Sequence, residues 1–530
     1  MKSWTRSRVY AGLAGIVLVL SACAPAVQSP SGGSTSPQGP GQTTPQKLTI
    51  GQASITPQMH PYISICCTQR RYDVFDPVLH QKDDGSVEPG AATAWKSVDE
   101  KTWQFTIRTD MKFHDGTPMR VEDVIFSVKR AADISFKYAV TSRMDTIQDA
   151  VRVDDKTVNV ITNRPDGLLL KRMAMVSILP QAYLEKVGDA EFGNKPIGTG
   201  PYKLVKFVPD TEIVVAAMPE HPFRKATGIS EVSIRNVPEA AARVAGLKSG
   251  ELDIADTIPI DQADSLKNAG FGAIIVDSGS STGYWLDTVV GKSPKTGPMA
   301  DTRVRQALNY AIDKESIAKN IYKGYTKPEQ GQFVQPETFG FNPNLKMFPY
   351  DPAKAKQLLA QAGYANGFKI TLASLTISAE GNALNLFVQD QLKQIGVELE
   401  IQPIGEYAVF RDYFYGVRQR SDLFAPGLIN TPALDADFAL IWFCTCQADP
   451  GRWHFNSPEF DRAYQASQVE VNEAKRKELL QKAIEVIYND PPYLFTVQGT
   501  RLTFYNKKVQ GMSRRAADNE QRYERLSITK

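Results

Sequence analysis

A strand, a helix and a second strand follow one another between residues 368 and 401, and this unit restricts the fold more than any other feature of the chain. Residues 368–375 and 397–401 have the apolar pattern of strands. Residues 384–395 have the apolar spacing of a helix, which Gly396 ends. Alternating strands and helices build an α/β body. The sequence therefore predicts an α/β fold, and its 530 residues are enough for two or three domains.

The same two periodicities recur along the chain after residue 46. Alternating apolar residues predict strands, and apolar residues three and four positions apart predict helices. Strands are predicted at residues 47–53, 102–108 and 157–162, and helices at residues 121–132, 301–322, 351–362 and 472–488. These elements extend the α/β pattern over the rest of the chain.

The first 22 residues have the features of a secretory signal rather than of a folded element. Basic residues precede an apolar run at residues 11–20, which is too short for a permanent membrane span. Cys23 follows small residues and resembles the acylated cysteine of a bacterial lipobox. This resemblance implies that residues 1–22 are removed and that Cys23 is lipidated. A plain secretory signal with a chance cysteine is the alternative.

Residues 23–46 are predicted to be a disordered tether. They are rich in Ser, Gly, Pro, Thr and Gln and cannot bury a core. Each lipid CH₂ that enters a membrane contributes about 0.8 kcal/mol. Lipidated Cys23 would therefore hold the body at the extracytoplasmic face of the cell membrane, and an unlipidated chain would reach the periplasm. No later run approaches the ~20 apolar residues of a spanning helix.

Charge and motifs argue against nucleic-acid binding and against catalysis. The 61 Lys and Arg residues nearly balance 58 Asp and Glu residues, so the net charge is only +3. Ser316-x-x-Lys319 and the Lys-Thr-Gly at residues 295–297 stand in the reverse of the order found in penicillin-binding enzymes, and no Ser-Asp-Asn lies between them. The five histidines are scattered. We therefore predict that the protein has no catalytic residue, and we expect no cofactor and no metal site.

Two short motifs that resemble functional sites are predicted to be structural turns. The FHDG motif at residues 113–116 contains His114 in a turn sequence. The GTGPY motif at residues 198–202 lacks the Lys-Ser/Thr ending of a phosphate-binding loop. Neither motif therefore indicates chemistry by itself.

Four cysteines remain besides Cys23, and they form two tight pairs in the sequence. Cys66 adjoins Cys67, and a single residue separates Cys444 from Cys446. An oxidising exterior permits disulfides, and four cysteines allow three connectivities. Structural disulfides are the favoured interpretation, free thiols come next, and a metal site is the remotest because zinc prefers histidine or more widely spaced cysteines.

Several phrases resemble, in their order, one family of binding proteins. They are the run at residues 84–131, PIGTGPYKL at 196–204, ADTRVRQALNYAIDKESIAKNIYKG at 300–324, YDPAKAKQLLAQAGY at 350–364, LKQIGVELEIQPI at 392–404, FNSPEFDRAYQAS at 455–467 and AKRKELLQKAIEVIYNDPPYLF at 474–495. Together they resemble the extracytoplasmic solute-binding proteins of the peptide/nickel (family 5) ABC transporters. The resemblance covers nearly all of residues 47–530.

The resemblance implies a two-lobe periplasmic-binding-protein-like fold of type II, cluster C, with an extra domain on lobe I. Ligand would bind between lobes that close around a hinge. Lobe I is expected at residues 47–76, 198–290 and 496–530, the extra domain at residues 77–197, and lobe II at residues 291–495. Because a bridge between the lobes would lock the hinge, disulfides are expected within each cysteine pair.

The resemblance also implies the role of the substrate-binding component of an ABC importer. The solute is expected to be an oligopeptide; an oligosaccharide, a metal chelate and a small carboxylate are the alternatives on the same scaffold. The protein would deliver its solute to a permease with ATPase subunits, and it would be a monomer because hinge motion needs free lobes. A chemosensory or cell-wall-associated binding lipoprotein is the alternative outside transport.

Ligand contacts are expected from loops that face the cleft. Arg70 and Arg71 lie in the loop after the first strand and could hold an anion bidentately, or they could be surface charges. Tyr284 and Trp285 lie where the chain crosses between lobes and could form a pocket wall or belong to the core. Both pairs are predicted ligand-binding residues.

Lobe II is expected to supply a second set of contacts. Peptide-binding members hold the ligand's ammonium group with a tryptophan-then-aspartate stretch. The comparable segment here, residues 424–443, carries Asp435, Asp437 and a later Trp442 but lacks the early tryptophan. Trp453 follows the second cysteine pair and is expected to line the same cleft. The scaffold therefore matches the family while the pocket departs from its pattern.

Overall fold

The computed structural model describes residues 46–62, 72–136, 138, 140–226, 228–290, 293–294, 297–375, 378–406, 408–410, 421–425, 429–430, 434–444, 455–513 and 521–529. The strands of this part of the chain are β1 (Gln46–Gln52), β2 (Leu79–Gln81), β3 (Val87–Pro89), β4 (Ala92–Ser97), β5 (Thr102–Ile107), β6 (Ile147–Asp154), β7 (Thr157–Thr162), β8 (Tyr202–Val208), β9 (Glu212–Ala217), β10 (Ile229–Asn236), β11 (Ile254–Ala255), β12 (Gly272–Leu286), β13 (Val289–Val290), β14 (Ser293–Pro294), β15 (Phe368–Leu375), β16 (Val397–Ile404), β17 (Leu423–Ala425), β18 (Ile429–Asn430), β19 (Tyr493–Tyr505), β20 (Val509–Gln510) and β21 (Ser527–Ile528).

Helices alternate with these strands along the described part of the chain. They are α1 (Val121–Ala132), α2 (Leu169–Met173), α3 (Gln181–Asn194), α4 (Ala240–Ser249), α5 (Ile260–Asn268), α6 (Thr302–Tyr310), α7 (Lys314–Ser316), α8 (Pro352–Gln361), α9 (Ala379–Gln394), α10 (Asp437–Leu440), α11 (Pro458–Val469) and α12 (Glu473–Asn489). A turn of π-helix, Ile317–Ile321, follows α7.

The strand–helix–strand unit predicted from the sequence is present. β15 pairs in parallel with β16 over its whole length, from Phe368 opposite Val397 to Leu375 opposite Ile404. The connecting helix α9 begins five residues before the predicted start, because Ser378 caps it by accepting a 3.0 Å hydrogen bond from the amide of Gly381. Its first turn is polar, so the apolar pattern alone could not reveal it.

The prediction of one continuous helix over residues 301–322 is wrong. α6 ends at Tyr310, and a new helical segment begins after Asp313, whose carboxylate accepts a 3.0 Å hydrogen bond from the amide of Ser316. The ammonium of Lys314 is buried at the break and donates to the carbonyls of Asn309 (2.7 Å), Ile312 (3.3 Å) and Phe348 (3.3 Å). Burial lowers the pKa of Lys314 to about 7. A buried cation that satisfies three carbonyls therefore interrupts a helix that the apolar pattern would continue.

One large mixed sheet and a smaller separate sheet organise the chain. The 11-stranded sheet has the order β16-β15-β17-β12-β19-β11-β1-β10-β9-β8, with β18 paired to β12 outside that path. We call β11, β1, β10, β9 and β8 its first half, and β17, β15 and β16 its second half. The smaller sheet, β4-β5-β7-β6, is antiparallel.

The smaller sheet shares a hydrophobic core with the first half of the large sheet. Phe105 on β5 and Val158 on β7 belong to the same buried cluster as Leu48 on β1 and Ile234 on β10. Two other clusters are present among the described residues. Leu308 and Leu372 belong to one, which also includes Ala255 on β11, and Phe333 and Phe443 belong to the other. The smaller sheet is therefore packed against the first half, and the boundaries of the extra domain that the resemblance implies stay a prediction.

The two turn motifs connect the smaller sheet to the first half. A Cβ atom on Gly198 would lie 1.9 Å from the carbonyl oxygen of Val74, and one on Gly200 would lie 2.2 Å from that of Asp73, so only glycine permits this approach. The amide of His114 donates to the Gly198 carbonyl (3.0 Å), and its imidazole Nε2 lies 3.0 Å from the Gly200 carbonyl. Both motifs therefore have the structural role predicted for them.

Candidate ligand-binding cleft

The two halves of the large sheet are joined by two long antiparallel strands. β12 and β19 pair from Gly272 opposite Tyr505 to Trp285 opposite Tyr493. One end of this ribbon adjoins β11 of the first half, and the other adjoins β17 of the second half. The pairing is irregular between Asp277 and Ser281 and again between Thr282 and Gly283. Since a break in a ladder bends a strand locally, this ribbon is where we expect a hinge between the two halves.

Tyr284 and Trp285 lie at the second-half end of this ribbon, in the core. Tyr284 is fully buried, and its hydroxyl donates a 2.9 Å hydrogen bond to the Asn385 side chain. Burial holds the pKa of Tyr284 well above its ordinary value. Trp285 is only 3% exposed and stacks on Phe443 at a centroid distance of 5.1 Å. In this conformation both rings are buried in the core, and their direct contact with ligand stays a prediction.

An aromatic cluster that the sequence analysis did not single out surrounds Trp285. Phe333 stacks on Phe443 at 4.6 Å, and Tyr493 presents its edge to Phe333 at 5.0 Å and to Trp285 at 5.7 Å. Offset and edge-on aromatic pairs contribute about 0.5–1.5 kcal/mol each beyond burial. These residues are more than 40 positions apart along the chain, so no local spacing pattern could have revealed the cluster. The cluster packs the second-half end of the ribbon against Phe333 and Phe443.

Polar side chains attach the segment after α7 to the middle of the ribbon. Thr326 donates through its hydroxyl to the Gln498 carbonyl (2.6 Å), and a carboxylate oxygen of Glu329 accepts from the amide of Thr496 (3.1 Å). The side-chain amide of Gln498 donates to the amide oxygen of Gln335.

A cavity of about 220 Å³ opens beside Gln498. It is lined by Lys327, Pro328, Gln330, Pro336, Glu337, Phe341, Pro343, Leu345, Lys346 and Gln498.

Asp435 is fully buried and already paired with cations on both oxygens. Arg476 donates to both of its oxygens at 2.8 Å, and the Lys171 ammonium lies 2.9 Å from Oδ2. Burial alone would raise the pKa of Asp435, but the charges of Arg476 and Lys171 hold it well below its ordinary value. The carboxylate is therefore ionised and neutralised within the protein. A direct contact with a ligand ammonium would require an exchange of partners.

Asp437 lies two residues further on, at the start of α10, and is also buried. Its carboxylate accepts a hydrogen bond from the side-chain amide of Gln468. Burial, and then the nearby charge of Asp435, raise the pKa of Asp437. Trp442 follows α10 in the short turn Ile441–Phe443 and is half-buried, so of these three predicted contacts it has the most exposed side chain. Ligand contact by all three stays a prediction.

Within the part of the chain that the structure describes, no group of three or more His, Cys, Asp or Glu side chains is arranged to hold a metal ion. Among the same residues, no helix combines the length and apolar character that crossing a membrane requires. Cys444 is buried and disulfide-bonded.

Comparison with known proteins decides the family. Residues 86–451, more than half of the chain, match the family described as bacterial extracellular solute-binding proteins, family 5.

The chain belongs to this family.

Family 5 relatives match this solute-binding protein over most of their length. It is 28% identical over 425 residues to the glutathione-binding protein GsiB of Pectobacterium atrosepticum. The alignment covers 78% of this chain and 80% of the relative. It is 27% identical over 464 residues to the dipeptide-binding protein of Escherichia coli K12, which spans 80% of this chain and 83% of the relative. The family consists of substrate-binding components of ABC importers, and this chain is one of them.

Solved structures of family 5 proteins have the same fold. The periplasmic binding protein DppA of Helicobacter pylori, in complex with the peptide STSA, superposes with a TM-score of 0.77, covering 92% of this chain and 99% of that one at 22% identity. HbpA2 of Haemophilus parasuis superposes with a TM-score of 0.79. The predicted two-lobe α/β fold is therefore confirmed. The lobe and domain boundaries given above stay predictions.

Several predicted residues of the solute-binding protein lie outside the described residues. These are Cys23, Cys66, Cys67, Arg70, Arg71, Cys446 and Trp453. The pairing of the disulfide at Cys444 and the ligand contacts of the two arginines and Trp453 therefore stay predictions.

Proposed function

We propose that this family 5 solute-binding protein captures a short peptide between its two lobes and delivers it to a membrane permease with ATPase subunits. The observation that carries the peptide assignment is the match, over about four-fifths of the chain, to relatives named for binding glutathione and a dipeptide. The ribbon of β12 and β19 supports the proposed closure of the lobes. In the described residues these two irregularly paired strands link the two halves of the large sheet, and a bend in them would bring the halves together.

The predicted contact residues fall into two groups, one that contacts the ligand and one that supports the pocket. Arg70 and Arg71 provide guanidinium groups suited to the terminal carboxylate of a peptide, and Trp442 and Trp453 provide apolar surface. Tyr284, Trp285, Asp435 and Asp437 support this pocket from within the protein. A closed pocket must pair every ligand polar group that it removes from water, so contacts from both lobes are required.

The protein performs no chemistry in this proposal and acts as a monomer. Binding favours closure only by the difference in the ligand's affinity for the closed and open states. Oligosaccharide, metal-chelate and small-carboxylate ligands, and a chemosensory or cell-wall role on the same scaffold, are the outcomes against which the peptide proposal is tested.

Thermal unfolding with a panel of solutes tests the ligand class. We expect glutathione or one of a set of di- to tetrapeptides to raise the melting temperature by about 3 °C at a hundredfold excess over Kd. Glucose oligomers, nickel–histidine and citrate represent the competing oligosaccharide, metal-chelate and small-carboxylate classes. Calorimetric titration with the stabilising peptide should give a Kd that rises about tenfold in the double variant R70M/R71M, while R235M, which removes an exposed charge, should leave the Kd unchanged. Stabilisation by the competing classes alone would contradict the peptide assignment.

We further propose that Cys23 is lipidated and anchors the protein at the extracytoplasmic face of the cell membrane. The sequence around Cys23 supports this proposal, as does the tether composition that follows it. In bacterial fractions, we expect the full-length chain to sediment with membranes and the C23A variant to be released with the soluble fraction. Equal membrane retention of both chains would contradict lipid anchoring through this residue.

A further inference from the structure

A buried network of charges connects the region around α2 to the region around α10 and α12. On one side lie the buried or partly buried Arg143, Asp166, Lys171 and Arg172, together with the half-exposed Asp145 that pairs with Arg172, and on the other lie the buried Asp435, Asp437 and Arg476. The set contains four basic and four acidic side chains. None of its members belongs to β12 or β19, so this connection between the two parts of the chain is separate from the hinge.

Lys171 and Asp435 form the direct ion pair of this network. Their 2.9 Å contact brings together a carboxylate with no exposed surface and an ammonium that is 17% exposed. The Lys171 ammonium and the Arg476 guanidinium both lie 5.1 Å from the centre of the Phe339 ring. Two cations therefore share one carboxylate and one aromatic ring.

Backbone and apolar contacts reinforce the same junction. The amide of Gly167 donates a 3.1 Å hydrogen bond to the carbonyl of Gln468, and a Cβ on Gly167 would lie 2.2 Å from the Glu470 carbonyl oxygen. Phe438, on α10, packs in the hydrophobic cluster of the smaller sheet and the first half rather than in that of its neighbours. The Arg143 guanidinium lies 5.0 Å from the centre of the Phe438 ring. The junction is therefore closely fitted, with charge, shape and apolar packing all contributing.

The smaller sheet is attached to the first half by a shared core and by the contacts of His114, whereas Asp435, Phe438 and Arg476 lie within the segment predicted as lobe II. When the two lobes separate, this junction has to open. Lys171 would then leave Asp435 with Arg476 alone, and Phe438 would leave an apolar cluster for water. Both changes disfavour separation.

We propose that this junction is a latch between the lobes, in which the Lys171–Asp435 ion pair and the fitted contact at Gly167 set the equilibrium between closed and open protein. The inference rests on the proposed two-lobe function. It implies that part of the free energy of closure comes from contacts of the protein with itself. A ligand then has to supply only the remaining difference between the closed and open states.

Distance measurements on the ligand-free protein test the latch. Spin labels carried on unnatural amino acids at the exposed positions 96 and 356 leave the native cysteines untouched and report the separation of the two parts. In K171M we expect the population at the short distance to fall relative to the long one by about tenfold. K171R should retain most of the short-distance population, because it keeps a cation beside Asp435.

G167A provides an independent variant that alters shape and leaves every charge in place. We expect it to shift the distances in the same direction as K171M. K369M is the matched control, since Lys369 pairs with Glu398 at 2.9 Å on the exposed surface of the second half. Circular dichroism confirms that each variant is folded.

Unchanged distance distributions in both folded variants would overturn the latch and leave the peptide proposal intact. Failure of every solute in the thermal panel, with the distances still shifting in K171M and G167A, would overturn the peptide proposal and leave the latch intact.

Discussion

Replacing Arg224 by methionine is expected to lower the free energy of unfolding by about 3–5 kcal/mol, because it leaves three buried carboxylates without their shared cation. The guanidinium donates to Asp76 (3.1 Å), to Asp73 and to both oxygens of Glu524 (3.1 Å each). Asp73 and Asp76 have no exposed surface, and Glu524 is nearly buried. Methionine keeps most of the side-chain volume, so the loss is chiefly electrostatic.

Asp76 shows how closely this cluster depends on its partners. Burial alone would raise the pKa of Asp76, but hydrogen bonds from His221 and His80 and the charge of Arg224 hold it well below its ordinary value. His221 Nε2 lies 2.8 Å from one carboxylate oxygen, and His80 Nε2 lies 3.0 Å from the other. The cluster joins the start of the smaller-sheet region to the C-terminal segment, which are far apart in the chain.

Urea unfolding of R224M beside R235M measures the effect. Arg235 also pairs with a carboxylate, Glu251 at 3.0 Å, but both side chains are exposed, so R235M should lose no more than about 1 kcal/mol. Equal losses in the two variants would show that the buried cluster contributes nothing beyond surface pairing.

The second large effect is expected on acidification. His60 is buried, and its Nδ1 accepts a 3.2 Å hydrogen bond from the amide of Tyr62, which requires a neutral ring with its proton on Nε2. Burial lowers the pKa of His60 to about 4 from its ordinary value of 6.5, although Asp189 acts in the opposite direction. Between these two pH values the unfolded chain binds a proton that the folded chain does not bind. The free energy of unfolding should therefore decrease as the pH is lowered. His60 alone should account for about 2.5 kcal/mol of this decrease between pH 7 and pH 4.5.

Urea unfolding as a function of pH distinguishes this contribution from others. Well above pH 6.5 His60 is neutral in both states and adds no pH dependence. Buried Asp123 and Asp437, whose pKa values are raised, act in the opposite direction, so the comparison has to be made between variants. The H60Q variant should show a decline between pH 7 and pH 4.5 that is smaller by about 2.5 kcal/mol, whereas K96Q, at an exposed site, should keep the wild-type decline. Identical slopes in H60Q and wild type would contradict a neutral buried His60.

The periodic spacing of apolar residues correctly predicted several strands and helices. The strands at Thr102–Ile107, Thr157–Thr162 and Phe368–Leu375 and the helix at Val121–Ala132 lie where the periodicity places them. Helix α12 begins one residue inside the predicted start, after Asn472, whose side chain caps it by accepting a hydrogen bond from the amide of Lys475. The phrases shared with family 5 also predicted the two-lobe fold and the binding role.

The sequence by itself determined the secondary-structure pattern, the family and the role of a binding protein, because each of these depends on residues close together in the chain or on motifs read in order. The tertiary structure decided which side chains share a site. Only the folded chain brings Lys171 to Asp435, Trp285 to Phe443 and Arg224 to Glu524. It also breaks the helix after Tyr310 around the buried Lys314. Which side chains are buried and which partners they contact depends on segments that lie up to 300 residues apart in the chain. A local sequence pattern therefore cannot predict these contacts.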